Sequence, residues 1–582
     1  MLELIQGLET QDARKGLFLY EDFAHAPLFI PYREFPARVA AAAEHFQSRG
    51  VRRGEQVILP FETSPEVIFS FFGLLELGAL PLSVKPYILS TPRVTYSEFL
   101  DRIAQRYGVR RVLDVPSLSS VTLSLDRLAL PPANARKAGV RLRDVSPDEL
   151  AFVQFSSGST SFPKGVPITQ AHLRENMRLI MRHEGWRSET RCCSWLPLYH
   201  DMGLIGSFLS SLKGGHELHQ SQPAAFLLDP LGWLEQLGER RASHAVIPNF
   251  AIDYALKTLR DADPRDMARL DLSALRTVYL GSEPINIPNM HAFLDLLAPY
   301  GLRRNVFMPC YGMAEAVLMV AAAAPSTEPR VVMAPNGQSA VSVGRPLPEF
   351  EMRLCAEDGH VCGERELGEV ELRGGTLAAT YYQDERPLLG ESGFYATGDL
   401  GFVQDGELYI TGRVNDRIKV NGQSYFSPDF EQAVERLPFI RAGRTVVIQV
   451  EGKVVVLAEV NHPSALEREQ ESRRRVCESV MSGVGVTVSP EDVLFIRYGQ
   501  IQKTSSGKLQ RRAISEAYAA GRIRLVTPGA LRADLLRMRA ERLVLRAVLV
   551  VRQQGRRLVT SVRAVLEAGL ARLTPKGARR DS

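Results

Sequence analysis

Phe155-Ser156-Ser157-Gly158-Ser159-Thr160-Ser161-Phe162-Pro163-Lys164-Gly165 follows the apolar run Leu150 to Val153. A loop of hydroxyls, small residues and one lysine can wrap phosphate oxygens with backbone N–H groups, hydroxyls and a point charge. Gly158 is not followed by four residues and then Gly-Lys-Ser/Thr, which argues against an ordinary P-loop nucleotide hydrolase. Standing alone, the stretch could also be a solvated serine-rich linker. Outward from it, short apolar runs alternate with helical patterns. Phe35 to Arg49 has helical spacing, Gln56 to Pro60 is a short apolar run, and Pro65 to Gly78 is a helix with an apolar stripe. Val246 to Pro248 and Thr277 to Leu280 read as further core strands. This alternation predicts an α/β fold with largely parallel sheets, whose ligand sites lie at the carboxyl ends of strands.

The texture changes near Glu351. Strand-like runs at Phe350 to Cys355, Gly368 to Arg373 and Glu407 to Thr411 are separated by Gly and Asp turns and predict a β-rich subdomain. A smaller α+β unit follows, with a helix at Pro428 to Leu437, strands at Thr445 to Val450 and Val454 to Val460, and a helix at Leu466 to Met481. The expected division is 1–411, 412–525 and a helical tail, 526–582. A chain of 582 residues exceeds one core and predicts several. The net charge of +5 is uneven: from Gly521 to Ser582 there are 15 Lys/Arg against 4 Asp/Glu, so a tail of +11 follows a body of −6. A basic tail suits an acidic partner. No apolar stretch approaches the roughly 18 residues that span a bilayer, and the charged start does not read as a signal peptide, so a cytoplasmic location is expected. The six cysteines show no CxxC pair and no cysteine/histidine cluster with zinc spacing, and read as free thiols.

Five further segments follow the serine-rich loop in order: Trp195-Leu-Pro-Leu-Tyr-His-Asp-Met-Gly-Leu204, Tyr311-Gly312-Met-Ala-Glu315, Tyr395-Ala-Thr-Gly-Asp399, Gly412-Arg-Val-Asn-Asp-Arg-Ile-Lys419 and Lys503-Thr-Ser-Ser-Gly-Lys508. The ordered set, from about Pro31 to Ala520, closely resembles the signature motifs of the adenylate-forming superfamily. That superfamily includes acyl-CoA synthetases, luciferases and peptide-synthetase adenylation domains. The resemblance implies that ATP and Mg²⁺ convert a carboxylic acid into an acyl-adenylate with loss of pyrophosphate. It also implies roles. Ser156, Ser157, Gly158, Ser159, Thr160 and Lys164 would hold the β- and γ-phosphates, and Glu315 would bind Mg²⁺, a hard cation suited to oxygen ligands. Tyr311 and Gly312 would border the adenine, with Gly281, Ser282 and Glu283 lining that pocket. Asp399 would accept the ribose hydroxyls, Arg413 would sit near the ribose and α-phosphate, and Lys508 would bridge the carboxylate and the α-phosphate. Asn415 would occupy the hinge about which a mobile C-terminal domain turns.

His200 and Asp201 could on their own be a metal-binding pair, but no second histidine lies at ligand spacing, and the resemblance makes His200 a gate on the acyl pocket. Several stretches resemble fatty acyl-AMP ligases, which load fatty acids onto acyl carrier proteins. They are His200 to Gly206, Pro248-Asn249-Phe250-Ala251, Leu270 to Ser273 with Gly281 to Pro284, and Gly422 to Asp429, whose acid is Asp where CoA ligases tend to carry Glu. Ile247, Asn249, Phe250 and Tyr254 would then border the fatty chain. Three features depart from that branch. The stretch from Gly344 to Gly398 is short where an insertion is usual, Asn415 replaces the usual Asp or Lys, and Ser161 replaces a glycine. The expected partners are a fatty or related carboxylic acid and an acyl carrier protein. The alternatives are an acyl-CoA ligase and an inactive nucleotide-binding relative. No nucleic-acid recognition motif is present.

Overall fold

The computed structural model describes residues 2–87, 93–137, 139, 141–155, 163–420, 423–501 and 509–536. The alternating runs of the first half build two sheets. The smaller has six strands in the order Asp126–Leu128, Arg111–Leu113, Gln56–Pro60, Leu80–Val84, Leu150–Phe155 and Gly165–Thr169. All its neighbours are parallel except the last pair, where the chain leaves Phe155 and returns antiparallel from Gly165. The serine-rich loop therefore connects two adjacent strands, at the carboxyl end of the first. In the nine-stranded sheet, Phe307–Gly312, Thr277–Gly281, His244–Pro248, Arg191–Ser194, Glu217–Ser221 and Gly16–Tyr20 run parallel, flanked by antiparallel strands.

Local chemistry sets the helices between these strands. Ser64 caps Pro65–Glu76 by accepting the Val67 N–H, and Pro65 holds the first turn, where its missing N–H costs nothing. Gly73 lets this helix approach its predecessor, Phe35–Gln47, since a Cβ there would stand 2.7 Å from that of Ala42. Gln170–Glu184 begins at the Thr169 cap and ends on the left-handed Gly185.

An antiparallel sheet follows, with strands Phe350–Cys355, Gly368–Gly374, Tyr395–Gln404 and Glu407–Arg413. Its last pair sets Asp399 opposite Arg413. Beyond it lies a smaller α+β unit. Strands Ile440–Val450, Lys453–Val460 and Val493–Phe495 pack with helices Ser427–Glu435 and Glu469–Val484. Its two hydrophobic clusters contain no residue before Ile418. The helix expected over Leu466 to Met481 is two helices, Ser464–Glu467 and Glu469–Val484, because Arg468 leaves helical backbone angles (φ −118°, ψ 48°). The break sets Glu469 and Glu471 in the first turn of the second helix, where carboxylates favour the positive end of its dipole.

Val526 and Leu531 are buried in the same cluster, so this unit packs with chain beyond Leu525. Helical residues begin at 528, Leu535 packs on the unit, and Arg532 and Asp534 pair with Glu467 and Arg497. Residues 537–582, most of the expected basic tail, lie outside the described residues. Among the described residues no helix is long and apolar enough to cross a membrane.

Candidate active site

Residues far apart in sequence meet where the large sheet, the antiparallel sheet and the end of the serine-rich loop adjoin. Asp399 is buried, 6% exposed, and both its carboxylate oxygens are engaged: Oδ1 accepts from Arg413 Nε at 2.8 Å and Oδ2 from the Tyr311 hydroxyl at 2.7 Å. Burial pushes the Tyr311 phenol well above its usual range, and the Asp399 charge adds to the effect. Asp399 holds the Arg413 guanidinium firmly in its charged form. Tyr311 comes from a parallel strand and the other two from one antiparallel pair, so the network ties the two sheets together.

Glu315 follows Tyr311 on the short turn Ala314–Ala316. Gly312 leads into this turn and has no alternative there: a Cβ would lie 1.7 Å from the Leu318 carbonyl oxygen. Val317 adopts φ 72°, unusual for a β-branched residue, so the backbone after Glu315 is strained. The half-buried Glu315 carboxylate accepts the Tyr381 hydroxyl at 3.0 Å. Desolvation raises its pKa, the Tyr381 bond lowers it, and the charge of Asp201 raises it further. A hard divalent cation suits this group, because positive charge would offset both the desolvation and the Asp201 repulsion. Lys164 places Nζ 4.4 Å from the centroid of the Tyr381 ring. Backbone bonds from Ala378 N–H to Glu315 O and from Tyr382 N–H to Gly165 O, both 2.8 Å, fasten the same segment to both neighbours. Tyr381 thus touches the two groups expected to bind metal and phosphate.

Gly281, Ser282 and Glu283 leave the carboxyl end of strand Thr277–Gly281, with Ser282 at φ 67°. Glu283 accepts the Phe250 N–H at 3.1 Å, and Asn249 Oδ1 accepts the Asn286 N–H at 3.0 Å. These bonds join the loop to the start of helix Asn249–Leu259. Ile247 is buried in the core just before it. Phe250 meets Trp195 edge-on at 5.9 Å, and Trp195 stacks on Phe226 at 4.1 Å with nearly parallel rings. Tyr254 lies 6.1 Å from Phe226. His200 Nδ1 pairs with Asp201 Oδ1 at 2.6 Å, and Asp201 caps the helical segment Met202–Leu209. Asn415 lies in the turn Val414–Asp416 between the antiparallel sheet and the C-terminal unit.

Ser156, Ser157, Gly158, Ser159, Thr160 and Lys508 lie outside the described residues. Among the described site residues, Tyr311, Asp399 and Arg413 share one hydrogen-bonded network, Glu315 and Lys164 meet at Tyr381, and Gly281 to Glu283 are joined to the segment of Asn249 and Phe250. Sequence reasoning missed Tyr381, Trp195 and Phe226 as site neighbours. The Tyr381-Tyr382 pair was the available signal, 66 residues from Glu315 and outside every motif segment. Asp429, noted for its position in the C-terminal unit, holds the Phe426 N–H at 3.3 Å, and burial pushes its pKa up to about 6.

The cysteines are all free. Donor atoms of Cys362, His360 and Glu366 nevertheless lie within 4.8 Å of one another, a grouping that cysteine spacing did not anticipate. The cluster is satisfied as an exposed group: His360 Nδ1 is 2.6 Å from Asp358 and Nε2 2.7 Å from Glu366, and Glu366 and Asp358 both raise the imidazole pKa.

A family model described as AMP-binding enzyme matches residues 27–382, and one described as Disco-interacting protein 2-like, AMP domain, matches 415–527. The medium-chain-fatty-acid–[acyl-carrier-protein] ligase JamA of Moorena producens is 29% identical over 573 residues, covering 88% of this chain and 93% of its own. The long-chain-fatty-acid–AMP ligase FadD28 of Mycobacterium tuberculosis is 28% identical over 574 residues, covering 88% and 96%. A structure from work on fatty acyl-adenylate ligases of E. coli and L. pneumophila superposes with TM-score 0.80 at 27% identity, covering 89% of this chain and 98% of that one.

Proposed function

This chain belongs to the AMP-binding enzyme family, and from that premise we propose that it activates a fatty acid with ATP and Mg²⁺ to an acyl-adenylate and passes the acyl group to a carrier-protein thiol. The observation that carries the proposal is an arrangement of two groups joined by the chain from Tyr311 to Glu315: Tyr311 and Arg413 bonded to Asp399, and Glu315 and Lys164 both meeting Tyr381. It supplies a buried carboxylate for ribose hydroxyls, a guanidinium for the α-phosphate, a carboxylate for Mg²⁺ and an ammonium for the leaving phosphates.

The substrate carboxylate and the α-phosphate are both anions, so the enzyme's task is positioning and charge neutralisation. Asp399 orients the ribose and keeps Arg413 charged and aimed. Lys164 and the serine-rich loop, Ser156 to Thr160, receive the developing charge on pyrophosphate, and Lys508 bridges acid and α-phosphate. Glu315 would hold Mg²⁺, which when bound would supply positive charge to the phosphates. Loss of Lys508 should slow adenylation by about 10²–10³-fold, the scale of one lost electrostatic stabiliser. Phe250 and Tyr254, backed by the buried Trp195 and Phe226, are a natural lining for an aliphatic chain, with His200 as its gate. In domain terms we assign adenylation to 1–411, a unit turning about Asn415 to 412–525, and a basic helical tail to 526–582.

A carrier acceptor agrees with the activity for which the relative JamA is named and with Asp429 standing where CoA ligases tend to carry Glu. The test supplies fatty acid and ATP with either CoA or a phosphopantetheinylated carrier protein. Acyl-carrier without acyl-CoA is expected; acyl-CoA as the main product would overturn the acceptor assignment.

A further inference from the structure

The hairpin loop between strands Phe350–Cys355 and Gly368–Gly374 gathers a thiol, an imidazole and two carboxylates. Backbone bonds set its path. Cys355 pairs with Val361 across the loop, the Cys362 N–H donates to Leu354 O at 2.8 Å, and Gly359 turns the chain at φ 89°. Residues two apart on an extended segment face the same side, so His360 and Cys362 project together. Glu366 reaches them from beyond the following turn. Its Oε2 accepts the Gly363 N–H at 3.0 Å, and its Oε1 lies 2.7 Å from His360 Nε2. Gly368 leaves room for the thiol, since a Cβ there would stand 2.6 Å from Cys362 Sγ.

An exposed histidine beside a carboxylate is by itself an ordinary surface pair. Three features go beyond that. The donor atoms of Cys362, His360 and Glu366 all lie within 4.8 Å of one another, and one of them is a soft sulfur. The other ring nitrogen, Nδ1, is held 2.6 Å from Asp358, the arrangement that orients metal-ligating histidines. The Cys362 thiol donates to Leu367 O over a long 3.7 Å, so a cation would displace little. Bonds of about 2.0–2.3 Å in a tetrahedron separate ligands by roughly 3.3–3.6 Å. That spacing falls between the 2.7 Å from Nε2 to Oε1 and the 4.8 Å bound on the three donors, so small side-chain rotations complete the shell.

We propose that Cys362, His360 and Glu366 form a structural Zn²⁺ site, binding through Sγ, Nε2 and a carboxylate oxygen, with water as fourth ligand and Asp358 orienting His360. Binding removes the thiol proton and the proton between Nε2 and Glu366. From a protonated imidazole, one dication replaces two protons released to solvent, and the net charge of the cluster is unchanged. Glu357, in the same loop, meets Arg417 Nη2 at 2.7 Å and Lys419 Nζ at 2.9 Å, so the ion would steady a loop that contacts the C-terminal unit. It takes no part in the adenylation step proposed above.

The test uses the full chain without an affinity tag, stripped with a chelator and titrated with Co²⁺ in excess Mg²⁺, which satisfies hard oxygen sites. Absorption is read for the thiolate-to-cobalt charge-transfer band. The parent should show the band, saturating at one equivalent and bleached by Zn²⁺. Cys362→Ser should abolish it, and Asp358→Asn should keep it while weakening Co²⁺ binding about 10–100-fold. Thermal melting of each metal-free variant checks the fold. Should Cys362→Ser melt early, His360→Gln, at an exposed side chain, should weaken binding more than Asp358→Asn does. No band in the parent, or an equal band in Cys362→Ser, would overturn the site.

Discussion

Tyr381→Phe removes one oxygen atom from the site and leaves the rest of the side chain in place. The lost contact is the hydroxyl's 3.0 Å bond to Glu315, while the phenyl ring still lies under Lys164 Nζ. A hydrogen bond to a charged group is worth about 1.5–3 kcal/mol. At 3.0 Å the bond is long for a hydroxyl on a carboxylate, which favours the lower end, about 1.5 kcal/mol or roughly tenfold in an equilibrium constant. The loss should fall on the metal, because groups that orient a ligating carboxylate tune metal affinity by about 10–100-fold. The assay is fatty-acid-dependent pyrophosphate release at saturating ATP, titrated with Mg²⁺. Half-saturating Mg²⁺ should rise about tenfold while KM for the acid changes by less than about twofold. The acidic limb of the pH profile should also move upward, since the Tyr381 bond lowers the Glu315 pKa against its desolvation. Tyr381→Leu additionally removes the ring beneath Lys164, a cation–π contact worth about 0.5–2 kcal/mol, and that increment should appear in KM for ATP. A Tyr381→Phe enzyme with the parent's Mg²⁺ dependence would refute this link between Tyr381, Glu315 and the metal.

Asp399→Asn should raise KM for ATP by about 10–100-fold with little change for the acid, since it weakens the hold on Arg413 as well as the ribose site; a larger effect on the acid would contradict the assignment. Gly312→Ala should cost about 1–3 kcal/mol, because the new methyl must displace the Leu318 carbonyl; unfolding by heat or denaturant that matches the parent would contradict this packing. Asp429 has a folded pKa of about 6 against an ordinary 3.8, so the folded state binds its proton more tightly than the unfolded state. Its penalty is absent below pH 3.8, grows as pH rises to about 6, and reaches about 3 kcal/mol above that. Asp429→Asn should therefore be more stable than the parent at pH 7, with the difference shrinking toward pH 4; a pH-independent difference in denaturant unfolding would rule this out.

Strands in both halves of the chain were legible where each is a short apolar run between turn residues. Gln56–Pro60 and Phe350–Cys355 begin and end where the pattern does. The break at Arg468 was not legible, since apolar spacing continues through it and one residue's backbone angles decide the matter. At the site, the segments holding Tyr311, Glu315, Asp399 and Arg413 could be read from their order and residue types. Their convergence could not, because the bond from Tyr311 to Asp399 depends on how two sheets pack. Tyr381 stayed hidden for the same reason: a loop from the antiparallel sheet brings it to Glu315, and its own neighbourhood carries no chemical pattern. The bonds from Arg511 to Glu431 and Asp416 were equally invisible, as these carboxylates lie 80 and 95 residues earlier in the chain.

Fatty-acid-dependent ATP–pyrophosphate exchange tests the central claim most directly, because it reports adenylate formation whatever the acceptor. With Mg²⁺ and a series of straight-chain acids, exchange should appear only when acid is present and should depend on chain length. No exchange with any fatty acid, or exchange driven only by aromatic or amino acids, would contradict the account.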